Sequence, residues 1–318
     1  MPEQYLHERS DFIDLIRIIA DEESINPFLV EKDYWIMHVL FGLKSQQFEF
    51  ELKGGTSLSK AYKIIDRFSE DIDIHIKPPA SFGINENPKN TNPNNSAKRK
   101  DFYDWLANTI KIDGIVSIER DTAFDDEQNY RSGGIRLRYD NKTLPIDGIK
   151  EGILLEAGFD NVTPNHKITI SSWAYDRAIQ NTEIKIIDNR AKDIVCYDPG
   201  YTFVEKLQTI ATKYRQEQLG DKKKVNFMRQ YYDVYSLLAR EDVLQFIGTP
   251  DYEAHKKKRF PPADYEIPVK ENQAFLLESE DIRKDYTKRY EESRKLYYKG
   301  QPPFEELLER IKLNIEKL

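Results

Sequence analysis

Phe48-Glu-Phe-Glu-Leu-Lys-Gly-Gly-Thr-Ser-Leu-Ser-Lys60 and, a few residues on, Asp71-Ile-Asp-Ile-His-Ile76 decide the fold class. Phe48, Phe50 and Leu52 alternate with Glu49 and Glu51, the period-2 pattern of a strand with one buried face. Gly54-Gly55 and the hydroxyl-rich run after them predict a tight turn feeding a capped helix. A second strand follows, with Ile72, Ile74 and Ile76 on one face and Asp71, Asp73 and His75 on the other.

Outward from this centre the pattern changes. Phe12, Leu15, Ile16 and Ile19 recur at helical spacing, as do Leu29, Tyr34, Ile36, Val39 and Leu40, with Ser24 in the helix-start region before Pro27. Residues 83–98, rich in Asn and Pro, read as a long mobile loop. A short helix is expected around Phe102–Ile110, then strands near Ile115–Glu119, Gly134–Tyr139, Ile153–Phe159 and Ile168–Ile170. From Tyr201 onward the chain reads as helical again, with Phe203, Leu207, Ile210, Ala211 and Tyr214 on one face and Met228, Tyr232, Tyr235 and Ala239 on another. The order of elements predicts an α+β protein: N-terminal helices over 1–45, a mixed α/β core over 46–195 and a helical domain over 196–318.

Composition bounds the function. The 318 residues hold 48 Lys+Arg against 55 Asp+Glu, a net charge of −7 that argues against a strongly cationic DNA-binding protein while allowing local basic patches. The single cysteine, Cys196, rules out an internal disulfide and a cysteine-based zinc site, and fits a reducing compartment. No apolar run reaches the ~18–20 residues of a membrane span, and the acidic N-terminus lacks the apolar core of a secretory signal. A cytoplasmic location is expected.

Chemistry concentrates at the quoted stretch. Two glycines allow close backbone approach, and free N–H groups with the Thr56 and Ser57 hydroxyls can hold phosphate oxygens. Asp71 and Asp73 project from the same strand face, where two carboxylates repel unless a cation separates them. Oxygen ligands and substrate phosphates are what Mg²⁺ takes. Alone, an alternating acid pair is most often a solvated strand face and a glycine pair most often a turn. In this order and spacing they are coherent as a metal–triphosphate site.

These residues, "KGGTSLSKAY … RFSEDIDI", resemble the polymerase-β-like nucleotidyltransferase superfamily, and more narrowly the AbiEii/AbiGii nucleotidyltransferase toxins of type IV toxin–antitoxin and abortive-infection systems. Glu31-Lys-Asp-Tyr-Trp35, Phe203-Val-Glu-Lys-Leu207 and Arg229-Gln-Tyr-Tyr-Asp-Val-Tyr235 extend the resemblance over roughly residues 29–240. It implies a polymerase-β-like core with a mixed sheet. It also implies that Gly54, Gly55, Thr56 and Ser57 hold the triphosphate and that Asp71 and Asp73 bind Mg²⁺ or Mn²⁺. Glu156, a lone acid in an apolar strand, is the third carboxylate the superfamily usually adds; pairing with Arg136 or Arg138 is the bland alternative. Lys206 matches the triphosphate-contacting lysine, against a lysine merely snorkelling along its helix. Asp233 matches the aspartate that supports that lysine, although an i, i+4 pair with Arg229 explains it nearly as well. Thr56 stands where many members have Ser, which leaves the Thr56/Ser57 assignment open. For Lys32 and Asp33 an intrahelical or interdomain pairing is expected, and His75 has no assigned role.

The resemblance implies transfer of NMP from an NTP to a hydroxyl acceptor, with RNA such as a tRNA end as the leading acceptor, protein hydroxyls (Ser, Thr or Tyr) left open, and a cognate antitoxin as partner; no membrane association is expected. Arg283, Lys284, Lys288, Arg289, Arg294 and Lys295, interleaved with Tyr286, Tyr290, Tyr297 and Tyr298, and a second cluster at Lys256–Arg259, are compatible with RNA. A solvated helix with interspersed acids accounts for the same run. Two rival readings stand beside the enzyme: a non-catalytic nucleotide-binding regulator, and an RNA- or protein-binding module with a vestigial site.

Overall fold

The structure, a computed structural model, describes residues 3–160, 162–181, 185–221, 223 and 225–318. The chain forms two compact units: Met1–Ala61 with Ser69–Tyr197, and Tyr62–Phe68 with Asp198–Leu318. The chain therefore leaves the first unit between the glycine turn and the Asp71 strand, then returns to it.

In the first unit, helices α1 (Phe12–Glu23) and α2 (Pro27–Ser45) precede the sheet. Asn26, not Ser24, starts α2: its side chain accepts the Phe28 N–H and Pro27 sits at the first helical position. Ser24 instead ends α1 with φ 55, a left-handed cap. Helix α2 is buried on every side, including the charged Glu31, Lys32 and Asp33, and each of these must find a partner inside the protein.

The sheet has seven strands: β1 (Phe50–Lys53), β2 (Asp71–Ile76), β3 (Ile115–Arg120), β4 (Ser132–Tyr139), β5 (Ile153–Gly158), β6 (Asn165–Ile170) and β7 (Ala191–Tyr197). Their order is β3-β4-β5-β2-β1-β7-β6. The pairs β2–β5 and β1–β7 are parallel and the others antiparallel, so the sheet is mixed and the protein is of the α+β class. Ile72, Ile74 and Ile76 are fully buried, as the alternation of β2 predicts. Between β1 and β2, a helical turn α3 (Gly54–Thr56) runs into a π-helical turn over Ser57–Ala61. It begins at Gly54 itself and has no side-chain cap.

Residues 83–98 differ from expectation. Helix α4 (Pro93–Thr109) starts inside that stretch, capped by Asn92. Upstream, the side chains of Asn85, Asn87 and Asn90 each accept a backbone N–H two residues on, which is turn chemistry. The fully buried Arg99 donates to the carbonyls of Asn85, Asn87, Asn90 and Asn129, binding the segment to α4. A short helix α5 (Trp173–Ala178) completes this unit.

The second unit holds α6 (Pro199–Gln218), α7 (Arg229–Leu237), α8 (Glu241–Phe246), α9 (Pro250–Arg259), α10 (Pro262–Tyr265), α11 (Gln273–Leu276), α12 (Glu280–Glu291) and α13 (Phe304–Asn314). Phe203, Leu207 and Ile210 of α6, Tyr231, Val234 and Leu237 of α7, and Phe304, Leu307 and Ile311 of α13 are buried. No helix among the described residues is long and apolar enough to cross a membrane.

Burial also corrects the basic, aromatic run of this unit. Tyr286, Tyr290 and Tyr297 are core residues. Arg289 is buried against Glu217, and Arg283 donates to the Leu277 carbonyl. Three of the four tyrosines that were to stack on bases thus pack inside the protein, because their periodicity belongs to the core face of α12 and the turn after it, while Tyr298 is half-buried. Lys284, Lys288, Arg294 and Lys295 remain exposed.

Candidate functional site

The first unit gathers the acids. Strand β2 turns its isoleucines into the core, so Asp71 and Asp73 share the opposite face. In the parallel register of β2 and β5, Asp73 stands opposite Glu156 and Asp71 opposite Leu154. The arginines that could have neutralised Glu156 are engaged by other acids, Arg136 by Asp121 and Arg138 by Glu119.

The electrostatics follow from this crowding. Burial, and then the charges of Asp73 and Asp71, push the Glu156 carboxyl up to about 8, against the opposing pull of Lys150 and Lys53. Burial likewise raises Asp71, with Lys150 opposing and Glu70 and Asp73 adding to the rise. One Asp71 oxygen, Oδ1, is buried without a hydrogen-bond partner. The other, Oδ2, lies 3.6 Å from Lys150 Nζ.

The glycine turn closes over the same acids. Gly54 has φ +73, and a Cβ there would overlap Asp73 Oδ2. The Thr56 hydroxyl donates to the Asp71 main-chain carbonyl and is thereby consumed. Ser57 Oγ is buried and has no hydrogen-bond partner. Of the two adjacent hydroxyls, the serine's is the one with capacity for a ligand.

An all-carboxylate donor set with an unsatisfied buried oxygen suits a hard divalent cation. Among the described residues, however, no group of three or more His, Cys, Asp or Glu side chains is gathered to hold an ion. The arrangement fits the way Mg²⁺ is commonly bound, by one or two carboxylates with substrate phosphates completing the shell.

Helix α2 supplies the scaffold. Glu31 accepts from the backbone N–H groups of Lys142 and Thr143 and from the Thr143 hydroxyl. Lys32 Nζ donates to the carbonyls of Lys150 and Gly152, both at 2.6 Å. Burial pulls its pKa down to about 8. Asp33 accepts from Lys60 Nζ at 2.5 Å and from the Trp173 N–H at 2.9 Å. The pairing expected within the helix or between domains is thus a set of loop anchors inside one unit. Glu31 and Lys32 both hold the connection between β4 and β5, one near its start and the other near its end, while Asp33 holds the π-helical turn at Lys60 and the start of α5. His75 bonds Glu51 at 3.1 Å and lies 3.4 Å from Glu86.

Lys206 and Asp233 meet in the second unit, 2.9 Å apart. Arg67 grips both Asp233 oxygens at 2.7 Å. Burial alone would raise the Asp233 carboxyl, but Arg67 and Lys206 outweigh it and hold it below its ordinary range. The Asp233 oxygens are therefore committed to these two cations rather than explained by an i, i+4 pair. Sequence reading missed Arg67 and Lys150. Arg67 abuts the acidic motif, which is a faint local signal; Lys150 reaches Asp71 only through the fold.

The family described as "Nucleotidyl transferase AbiEii toxin, Type IV TA system" matches residues 39–310. No curated protein matches the chain. Among solved structures, an antigenic nucleotidyltransferase-like protein from Paracoccidioides brasiliensis is similar at 13% identity with a TM-score of 0.32, over 73% of this chain and 95% of that one. The family match takes in the glycine turn, the acidic strand, Glu156, Lys206 and Asp233 alike, and the chain belongs to the AbiEii nucleotidyl transferase toxin family of type IV toxin–antitoxin systems.

Proposed function

We propose that the protein transfers NMP from an NTP to a hydroxyl acceptor, with RNA as the first acceptor to test and a cognate antitoxin as its partner. The observation that carries this reading is the Asp71–Asp73 face beside Glu156, with an unsatisfied Asp71 oxygen and the unpartnered Ser57 hydroxyl at the glycine turn. Asp71 and Asp73 would hold Mg²⁺ or Mn²⁺, with Glu156 next to them. When bound, the cation would supply charge neutralisation at the phosphates.

The chain's own residues do the rest. Gly54 and Gly55 let the main chain approach the phosphates, and Ser57 donates to one of their oxygens. The cation proposed for the triphosphate is Lys206, held by Asp233 while Arg67 satisfies the remaining acceptor capacity. The acceptor oxygen forms a bond to the α-phosphorus, and the bond from that phosphorus to the β-bridging oxygen breaks. Pyrophosphate leaves and the acceptor proton passes to solvent. Catalysis here is positioning and electrostatics.

The test is incubation with each labelled NTP, Mg²⁺ and total RNA, repeated with Asp71→Ala. Label on RNA, or on protein, from the wild type alone supports transfer. A second reading, a nucleotide-binding regulator, is favoured by Lys150, whose ammonium stands 3.6 Å from Asp71 Oδ2, where a cation would bind. It predicts NTP binding with no label transferred to any acceptor.

A further inference from the structure

Lys150 has an unusual attachment. Its main chain is pinned on both sides: its carbonyl accepts Lys32 Nζ at 2.6 Å and its N–H donates to Glu70 Oε2 at 3.3 Å. Its side chain is held loosely by comparison. The ammonium sits 3.6 Å from Asp71 Oδ2 and 4.1 Å from the centre of the Phe124 ring, with about a third of the side chain (35%) exposed. The neighbouring lysines are committed to other groups: Lys53 to Asp160, Lys60 to Asp33, and Lys32 to two carbonyls.

We infer that Lys150 is the resident counter-cation of the acid cluster, and that it passes from Asp71 to the phosphates of the nucleotide when a divalent cation takes its place. This rests on the proposed nucleotidyl-transfer reading. The physical basis is the placement of the charges: Asp71 and Asp73 share one strand face beside Glu156, and the Lys150 ammonium stands 3.6 Å from Asp71 Oδ2. Lys150 thus offsets the negative charge of this face before the ion arrives. An ammonium and a divalent ion against the same carboxylate repel each other, so the lysine tip must turn away. A flexible four-carbon stem on a fixed main chain allows this, and the nearest new anion is the incoming triphosphate. The Phe124 face gives the ammonium an intermediate resting surface.

Two measurements test this on the full chain. Mn²⁺ alone, with no nucleotide, is titrated into wild type, Lys150→Met and Lys150→Arg, with free Mn²⁺ read by electron paramagnetic resonance. Lys150→Met removes the competing charge and should bind Mn²⁺ about tenfold more tightly, whereas Lys150→Arg should match the wild type. Transfer kinetics should show the reverse: KM for NTP about tenfold higher in Lys150→Met and largely restored in Lys150→Arg. Thermal melting checks that the variants fold, and a second neutral variant, Lys150→Gln, with the outcomes expected of Lys150→Met, keeps the test decisive should the methionine variant not fold. Mn²⁺ affinity that is unchanged or weaker in Lys150→Met, or an unaltered KM, overturns the inference while an active wild type leaves the function standing. A wild type that neither binds Mn²⁺ nor transfers overturns both.

Discussion

Asp73 on β2 stands directly opposite Glu156 on β5 in the parallel register of the two strands. Burial, and then the charges of Asp73 and Asp71, push the Glu156 carboxyl up to about 8, well above the ordinary glutamate range. The sign follows directly. Between pH 4.5 and 8 the folded state retains a proton that the unfolded chain releases, so this group's contribution to stability falls as pH rises through that window. Glu156→Gln should therefore raise stability by about 1–2 kcal/mol at pH 8 and by much less at pH 5, while abolishing transfer. Urea melts at the two pH values check it, and a variant less stable than wild type at pH 8 refutes the assignment.

Thr56 and Ser57 are adjacent hydroxyls with different work. The Thr56 hydroxyl holds the Asp71 carbonyl, so Thr56→Val should cost about 1 kcal/mol through the lost hydrogen bond and the carbonyl left behind. Ser57 Oγ has no partner to lose. Ser57→Ala should leave the melt within about 0.5 kcal/mol of wild type and raise KM for NTP several-fold. Equal effects of the two substitutions on KM would place the phosphate contact elsewhere.

How much of this was legible beforehand depended on local pattern. Strand β2 could be read because Ile72, Ile74 and Ile76 alternate cleanly into the core. Strand β7 could not: Asp193 adopts φ 52 in its middle, and the pairing with β6 shifts register there, which breaks the period of two. Helix α4 was hidden at its start because it buries Asn95, Ser96 and Arg99 rather than an apolar stripe. The acids of the site were visible as a motif. Their cation was not, since Lys150 meets Asp71 across two strands' worth of fold and has no spacing signature of its own. The charged run Glu31-Lys32-Asp33 was visible as a motif, but its anchoring targets, the β4–β5 connection for the first two and Lys60 with the start of α5 for the third, were set by tertiary structure alone.

Asp233 is fully buried between Arg67 and Lys206. Removing the shared acid strands two cations in a low-dielectric setting, so Asp233→Ala should destabilise by about 3–5 kcal/mol. Lys206→Met should cost much less, because the Arg67 grip on both oxygens survives. If Lys206 serves the triphosphate, Lys206→Met loses transfer while its melt stays close to wild type. Denaturant melts of both variants, with transfer assayed in parallel, distinguish the stabilising partner from the functional one.

The last prediction concerns acid. In the first unit Asn189 Nδ2 lies 3.0 Å from Tyr34 Oη and 2.9 Å from His38 Nδ1, and Tyr34 Oη lies 2.8 Å from His7 Nδ1. His38 Nε2 meets the Asp113 carbonyl at 3.0 Å and so donates. The pattern closes with Asn189 donating to both Tyr34 and His38, and Tyr34 donating to His7, so each histidine accepts on Nδ1. Protonating His38 sets donor against donor at the Asn189 amide, and protonating His7 forces the Tyr34 hydroxyl to turn from donor to acceptor. Burial, reinforced by His38, pulls His7 down to about 3, and burial also lowers His38 against the pull of Asp113. The unfolded chain takes up these protons from about pH 6.5 downward and the folded state does not. Stability supplied by the neutral rings is thus present above pH 6.5 and is lost as pH falls toward 3, at up to about 1.4 kcal/mol per pH unit for each ring. His7→Gln with His38→Gln should flatten the slope of stability against pH between 6.5 and 4.5, whatever it does to stability at pH 7.5. An unchanged slope would mean that the rings accept protons without breaking the Asn189–Tyr34 network.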